Sequence, residues 1–163
     1  MTVLQTRTPS GVILYDGDAV AEIRDEHFDP AWWRRQNQVI GAAHGRGAVV
    51  FVRHDGESWA LRHFYRGGWM AKLSPDRYVW LGRERTRMWR EWRMLAELRR
   101  RGLPVPEPIA ARFTRSGPFY RGDLITRLIE GADTLAHTLR DRALPPEEWR
   151  AIGALLARLQ ASG

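Results

Sequence analysis

Short apolar runs broken by glycine and Asp-Gly turns dominate the chain as far as Phe64, and a helical spacing takes over from Arg83. Gly11 to Asp16 (GVILYD) predicts a short strand closed by the turn Asp16-Gly17-Asp18. Asp29-Pro30 predicts a short helix carrying Trp32 and Trp33, with Asp29 as cap and Pro30 at its first position. The stretch QVIGAAHGRGAVVFVRHDGESWALRHF predicts two strands around a glycine-rich turn, the second being Ala48 to Arg53. That strand turns at Asp55-Gly56 into a third, Ser58 to Phe64, which makes an antiparallel meander. From Arg83 to Arg101, Met88, Glu91, Leu95 and Leu98 recur on one helical stripe with Trp92 beside them. Gly102 ends this helix, and Pro104 and Pro106 prevent its resumption. Two more strands, Ile109 to Thr114 and Tyr120 to Ile129, flank the turn Ser116-Gly117-Pro118, and Gly131 marks a break. Leu135 to Arg140 reads as a short helix. Pro145-Pro146-Glu147-Glu148 opens a last one, with Ile152, Leu155, Leu156 and Leu159 on one stripe.

Composition narrows the classes this pattern can serve. The 163 residues suit one domain of ordinary size and contain no cysteine, which excludes a disulfide scaffold, a thiol nucleophile and cysteine-ligated metal sites. No apolar run is long enough to span a bilayer and the N-terminus lacks a signal-peptide layout, so the expectation is a cytoplasmic chain. The net charge is +7, with 26 basic against 19 acidic residues, and Lys72 is the only lysine. Arginine pairs bidentately with phosphates and carboxylates, so the excess is either a compositional habit or the mark of an anionic partner. The Arg-rich helix with Trp89 and Trp92 has the residue types of a nucleic-acid surface. A solvated face with core tryptophans accounts for it better, and no nucleic-acid partner is expected. The five histidines, His27, His44, His54, His63 and His137, show no metal-ligand spacing, and no metal ligand is assigned.

Three features carry candidate chemistry. The first is the glycine turn Gly41-Ala-Ala-His-Gly45-Arg46-Gly47, whose backbone N–H groups can approach a phosphate closely. No Gly-Lys-Ser/Thr follows, so it is not a Walker loop. The second is Glu91, a carboxylate in an apolar stripe, costly there unless paired. The third is Arg62, at the centre of WALRH. Each alone is better explained by a turn, a rim glutamate and an exposed strand residue. Their order is more informative. A glycine loop between two strands, a cation in the third strand and a carboxylate on the next helix form the layout of a protein-kinase small lobe.

The segments GAAHGRGAVVFV (Gly41 to Val52), WALRHFYRGGWMAKLSPDRYVWLG (Trp59 to Gly82), ERTRMWREWRMLAELRRRGLPVPEPIAAR (Glu84 to Arg112) and YRGDLIT (Tyr120 to Thr126) resemble the 3-deoxy-D-manno-octulosonic acid (Kdo) kinases of the lipopolysaccharide kinase family. The resemblance implies an α+β, protein-kinase-like small lobe: an antiparallel five-stranded sheet plus one long helix, followed by the first helices of the large lobe. On that basis residues 1–37 are an N-terminal extension, 38–130 the lobe and 131–163 the start of the second lobe. It implies ATP and Mg²⁺, and phosphoryl transfer to a hydroxyl of Kdo on lipid A. The setting it implies is peripheral, at the anionic cytoplasmic face of a Gram-negative inner membrane, where Arg66 and Trp69 would suit the headgroup interface.

Carried over by position, Gly41, Gly45, Arg46 and Gly47 would cover the ATP phosphates and Ala60 would lie over the adenine. Arg62 would take the place of the usual lysine, with Glu91 as its partner and Lys72 as a rival for the role. The hinge would fall at Arg127 to Ile129, with Leu128 contacting the nucleotide. Family members continue into a His-x-Asp-Leu-Asn catalytic loop and a metal-binding aspartate, and this sequence stops at ARLQASG. None of Asp123, Asp133 or Asp141 sits in such a motif, so no catalytic residue is assigned. The expectation is a truncated chain without useful kinase activity, whose last helix is poorly buried. The alternative is a non-catalytic nucleotide-binding or scaffolding lobe.

Overall fold

The computed structural model describes residues 1–44, 48–66 and 75–161. In chain order the strands are β1 (Val3–Arg7), β2 (Val12–Asp16), β3 (Val39–His44), β4 (Ala48–His54), β5 (Glu57–His63), β6 (Tyr78–Val79), β7 (Pro108–Ser116) and β8 (Phe119–Arg127). The helices are α1 (Pro30–Arg35), α2 (Arg87–Arg100), α3 (Leu135–Asp141) and α4 (Pro146–Ala161), with single 3₁₀ turns at Asp25–Phe28 and Arg83–Arg85.

All strands join one antiparallel sheet in the order β1-β2-β7-β8-β5-β4-β3, and β6 pairs with the start of β8. The five expected strands form the contiguous run β7-β8-β5-β4-β3. The sheet has eight strands where five were expected, because β1 and β2 extend it beyond β7 and β6 adds a short rung. The β4–β5 turn places Asp55 at φ 48° and Gly56 at φ 83°, the two positive values that match a tight hairpin to the strand twist.

Strand alternation sends side chains to two differently covered faces. On one face Ile13, Val50, Val52, Trp59, Leu61, Ala110 and Ile125 pack under Val20, Ile23, Phe28 and Trp33 from the N-terminal segment. Asp29 caps α1 as expected, accepting from the Ala31 N–H at 2.8 Å. The buried Trp33 indole donates to the His27 carbonyl at 2.8 Å. On the other face Leu14, Ala111, Phe113, Tyr120 and Leu124 meet Met88, Trp89, Trp92, Leu95 and Ala96 of α2. Burying each large side chain contributes about 1.5–3 kcal/mol, so these layers set the geometry. Trp89 and Trp92 are core residues, with no ring exposed for stacking on bases.

Gly102 closes α2 at φ 71°, its N–H donating to the Arg99 carbonyl at 2.8 Å while Leu103 N–H reaches Leu98 at 3.0 Å. Beyond the sheet, α3 and α4 bury no residue. On α4, Ile152, Leu155 and Leu159 are half-buried and Leu156 is exposed, in line with the expected poor burial.

One glycine governs how closely α2 approaches the sheet. A Cβ at Gly122 on β8 would lie 1.6 Å from Met88 Cε and 3.0 Å from the Arg112 carbonyl oxygen. Met88 is fully buried, so its side chain has little room to retreat. Gly122→Ala is expected to destabilise the fold by about 1–3 kcal/mol through overpacking, read as a lower urea midpoint with an unchanged slope. An unchanged midpoint would contradict this packing.

Candidate functional site

Register places the candidate residues together. β4 pairs with β5 so that Val49 faces Arg62 and Phe51 faces Ala60, and β5 pairs with β8 so that Ala60 faces Thr126 and Arg62 faces Leu124. Alternation turns Val49, Ala60, Arg62, Leu124 and Thr126 to the α2 face. Glu91 on α2 completes the arrangement by pairing with the Arg62 guanidinium. A cavity of about 350 Å³ opens between them, with Leu95 and Pro106 on its far wall. Its size suits a small ligand.

The ion pair is partly open to solvent, with the Arg62 side chain 39% exposed and that of Glu91 23%. An exposed pair of this kind contributes about 0–1 kcal/mol, so its consequence is orientation rather than stability. The Arg62 guanidinium also stands 4.7 Å from the Phe64 ring centroid, which further limits its swing. What results is a planar donor fork held at the rim of an otherwise apolar hollow, suited to phosphate or carboxylate oxygens.

The remaining sequence candidates divide. Gly41 lies within β3 opposite Phe51, where a Cβ would meet the Phe51 ring at 3.3 Å. Gly45, Arg46 and Gly47 lie outside the described residues, as do Trp69 and Lys72. The Leu128 N–H donates to the Ser58 carbonyl at 2.8 Å, so a contact from Leu128 to a ligand would have to use its carbonyl or side chain. Among the described residues the next N–H, that of Ile129, has no acceptor, and Ile129 is exposed. Asp133 pairs with the neighbouring His137, and Asp141 lies 3.7 Å from the same ring.

Asp123 belongs to the opposite face. It accepts from Arg112 at 2.9 and 3.0 Å and bonds His63 Nδ1 at 2.7 Å. Arg112 reaches on to Asp25, whose carboxylate also accepts from Ser10, and His63 Nε2 lies 3.4 Å from Asp76, which holds Arg121 at 2.7 Å. The result is a row of alternating charges, Asp25–Arg112–Asp123–His63–Asp76–Arg121, across three strands. Sequence reading missed it because pairing between distant strands is not a local pattern.

A profile of the lipopolysaccharide kinase (Kdo/WaaP) family matches residues 30–163. The chain belongs to that family. A relative from Haemophilus influenzae (strain PittEE), named 3-deoxy-D-manno-octulosonic acid kinase, is 41% identical over 151 residues, which cover 90% of this chain and 63% of the relative. Proteins of the same name from Actinobacillus succinogenes and Vibrio parahaemolyticus are 38% and 37% identical over 161 residues, 67% and 68% of their lengths. The chain thus spans 63% of the Haemophilus protein. No solved structure matches. Among the described residues no helix is long and apolar enough to cross a membrane.

Among the described residues no group of three or more His, Asp or Glu side chains is placed to hold a metal ion.

The charge row makes a pH prediction. The hydrogen bond to Asp123 raises the His63 pKa above 6.5 against the opposing cost of burial, with Asp76 adding to the rise. A raised folded-state value favours folding while His63 is charged; that contribution is complete below the unfolded pKa and disappears as pH climbs through the folded one. The stability of the wild type relative to His63→Asn is therefore expected to fall as pH rises above the ordinary histidine value of 6.5 in urea titrations. A difference that stays constant or grows with pH would contradict it.

Proposed function

We propose that residues 1–163 form the nucleotide-binding part of an ATP-dependent kinase acting on a hydroxyl of Kdo in lipid A, a step in building the lipopolysaccharide inner core. The observation that carries the reading is the Arg62–Glu91 pair at the rim of the Ala60 cavity. Arg62 holds the α- and β-phosphates through its fork, and Glu91 keeps that fork aimed. Val49, Ala60 and Leu124 form the apolar wall for the adenine, and the Ile129 N–H donates to its edge. The loop carrying Gly45, Arg46 and Gly47 covers the phosphates. The relatives' shared name supports Kdo as the acceptor.

Transfer itself needs a carboxylate to orient the attacking hydroxyl and ligands for Mg²⁺. Within residues 1–163 we assign neither: Asp123 is engaged by Arg112 and His63, and Asp133 by His137. The 163-residue chain by itself therefore binds nucleotide without turning over. A lipid-linked, phosphate-rich acceptor supports placement at the cytoplasmic face of the inner membrane.

Titration with a fluorescent ATP analogue tests this. The chain is expected to bind it, Arg62→Ala to weaken binding about tenfold or more, and Ala60→Leu to fill the cavity and do the same. Radiolabel transfer to Kdo-lipid A is expected to stay at the no-enzyme level. Equal affinity in the Arg62 and Ala60 variants would overturn the nucleotide assignment, and measurable transfer would overturn the division of roles.

A further inference from the structure

The larger cavity of this molecule lies on the other face of the sheet. It encloses about 630 Å³ between the start of α1 and the exposed ends of β5, β7 and β8. This volume is within the range of small-molecule sites and far exceeds what one bound phosphate needs. Its floor is apolar, from Phe28, Pro30, Val50 and Leu61. Its rim is polar, from Arg34, Arg121, His63 and Thr114, and Tyr65 stands beside His63 with its ring half exposed. The groove continues past Thr114 and Arg121 into a smaller hollow of about 100 Å³ that Arg77 and Ser116 help to line.

The charges of this groove are not balanced from within. Asp29 is engaged in capping α1 and faces Arg35 at 3.8 Å. Asp123 is held between Arg112 and His63. Arg34 is exposed at the rim and, among the described residues, its side chain has no ion pair or hydrogen bond. Arg121 contacts Asp76 through Nε and remains 48% exposed, which leaves donors of its fork toward the groove. An apolar floor, a hydroxyl, a half-exposed aromatic ring and two arginines suit a ligand that is neither a bare anion nor a lipid tail.

We propose that this groove is a second ligand site, on the opposite face of the sheet from the nucleotide cavity with Arg62 and Leu124 lining both, and that it takes a phosphate-bearing saccharide. The phosphate sits between Arg34 and Arg121, the sugar hydroxyls meet Thr114 and His63, and a sugar face lies on Tyr65. Resting on the kinase reading, the natural source is the sugar-phosphate headgroup of the acceptor glycolipid. The sheet then holds the acceptor's headgroup on one face while its other face holds the nucleotide.

Amide chemical shifts of the 163-residue chain, recorded with glucosamine 1-phosphate, glucosamine and inorganic phosphate in turn, test this. Glucosamine 1-phosphate is expected to shift Ala31, Arg34, His63 and Thr114, and to do so equally with the nucleotide cavity saturated by ATP. Glucosamine and inorganic phosphate are each expected to bind at least about tenfold more weakly, as is glucosamine 1-phosphate to Arg34→Ala. Thr114→Val provides a second variant should the first lower the melting temperature. Shifts confined to Ala60 and Arg62, displacement by ATP, affinity for inorganic phosphate equal to that for the sugar phosphate, or undiminished affinity in both variants would each overturn the site. Absence of ATP binding alongside these shifts would sink the kinase reading and leave the groove standing.

Discussion

A guanidinium on β5 and a carboxylate on α2 meet across the boundary between sheet and helix, and the candidate site exists only while they do. Their mutual attraction cannot impose this. A pair this open to water is worth about 0–1 kcal/mol, whereas each large side chain buried beneath it contributes about 1.5–3 kcal/mol. The layer of Met88, Trp89, Trp92 and Leu95 on Ala111, Phe113 and Leu124 decides where α2 lies. Gly122 allows the close approach, and Gly102 ends the helix where the chain must turn toward β7. Glu91 arrives opposite Arg62 as a consequence. The core builds the geometry, and the pair turns that geometry into an oriented donor.

The sheet divides the chemistry between its faces. Toward α2, the residues of β4, β5 and β8 that line the hollow are small or apolar apart from Arg62, which stands at its rim. Toward the N-terminal segment β4, β5, β7 and β8 are apolar at Val50, Leu61, Ala110 and Ile125, and β5, β7 and β8 are charged beyond them at His63, Arg112 and Asp123. The first 37 residues cover the apolar part and meet the charged part through Asp25 and Phe28 against Arg112, and a larger groove is left beside them. Arg62 and His63 are neighbours in sequence, and the pleat sends them to opposite sides. A one-residue slip of β5 would exchange them and abolish both cavities.

What could be read from the sequence followed the locality of each cause. The α2 helix was legible because its stripe and its glycine stop lie within one stretch, and the β4–β5 hairpin because Asp55-Gly56 demands a tight turn. The Arg62–Glu91 partnership was legible from order and from likeness to a known family, not from periodicity. β1 was not read: it is an exposed edge strand with little apolar content, held by its backbone pairing to β2. The charge row through Asp123 depends on β5, β7 and β8 lying side by side in one register. The engagement of the Leu128 N–H was not legible either, because its acceptor, the Ser58 carbonyl, lies 70 positions earlier in the chain.

The most direct measurement is a crystal structure of the chain with a non-hydrolysable ATP analogue. The account predicts the triphosphate against the Arg62 guanidinium, Glu91 still paired with it, and the adenine beside Ala60 with its edge at the Ile129 N–H. A nucleotide bound on the N-terminal face, or Arg62 and Glu91 apart with no ligand between β5 and α2, would contradict it.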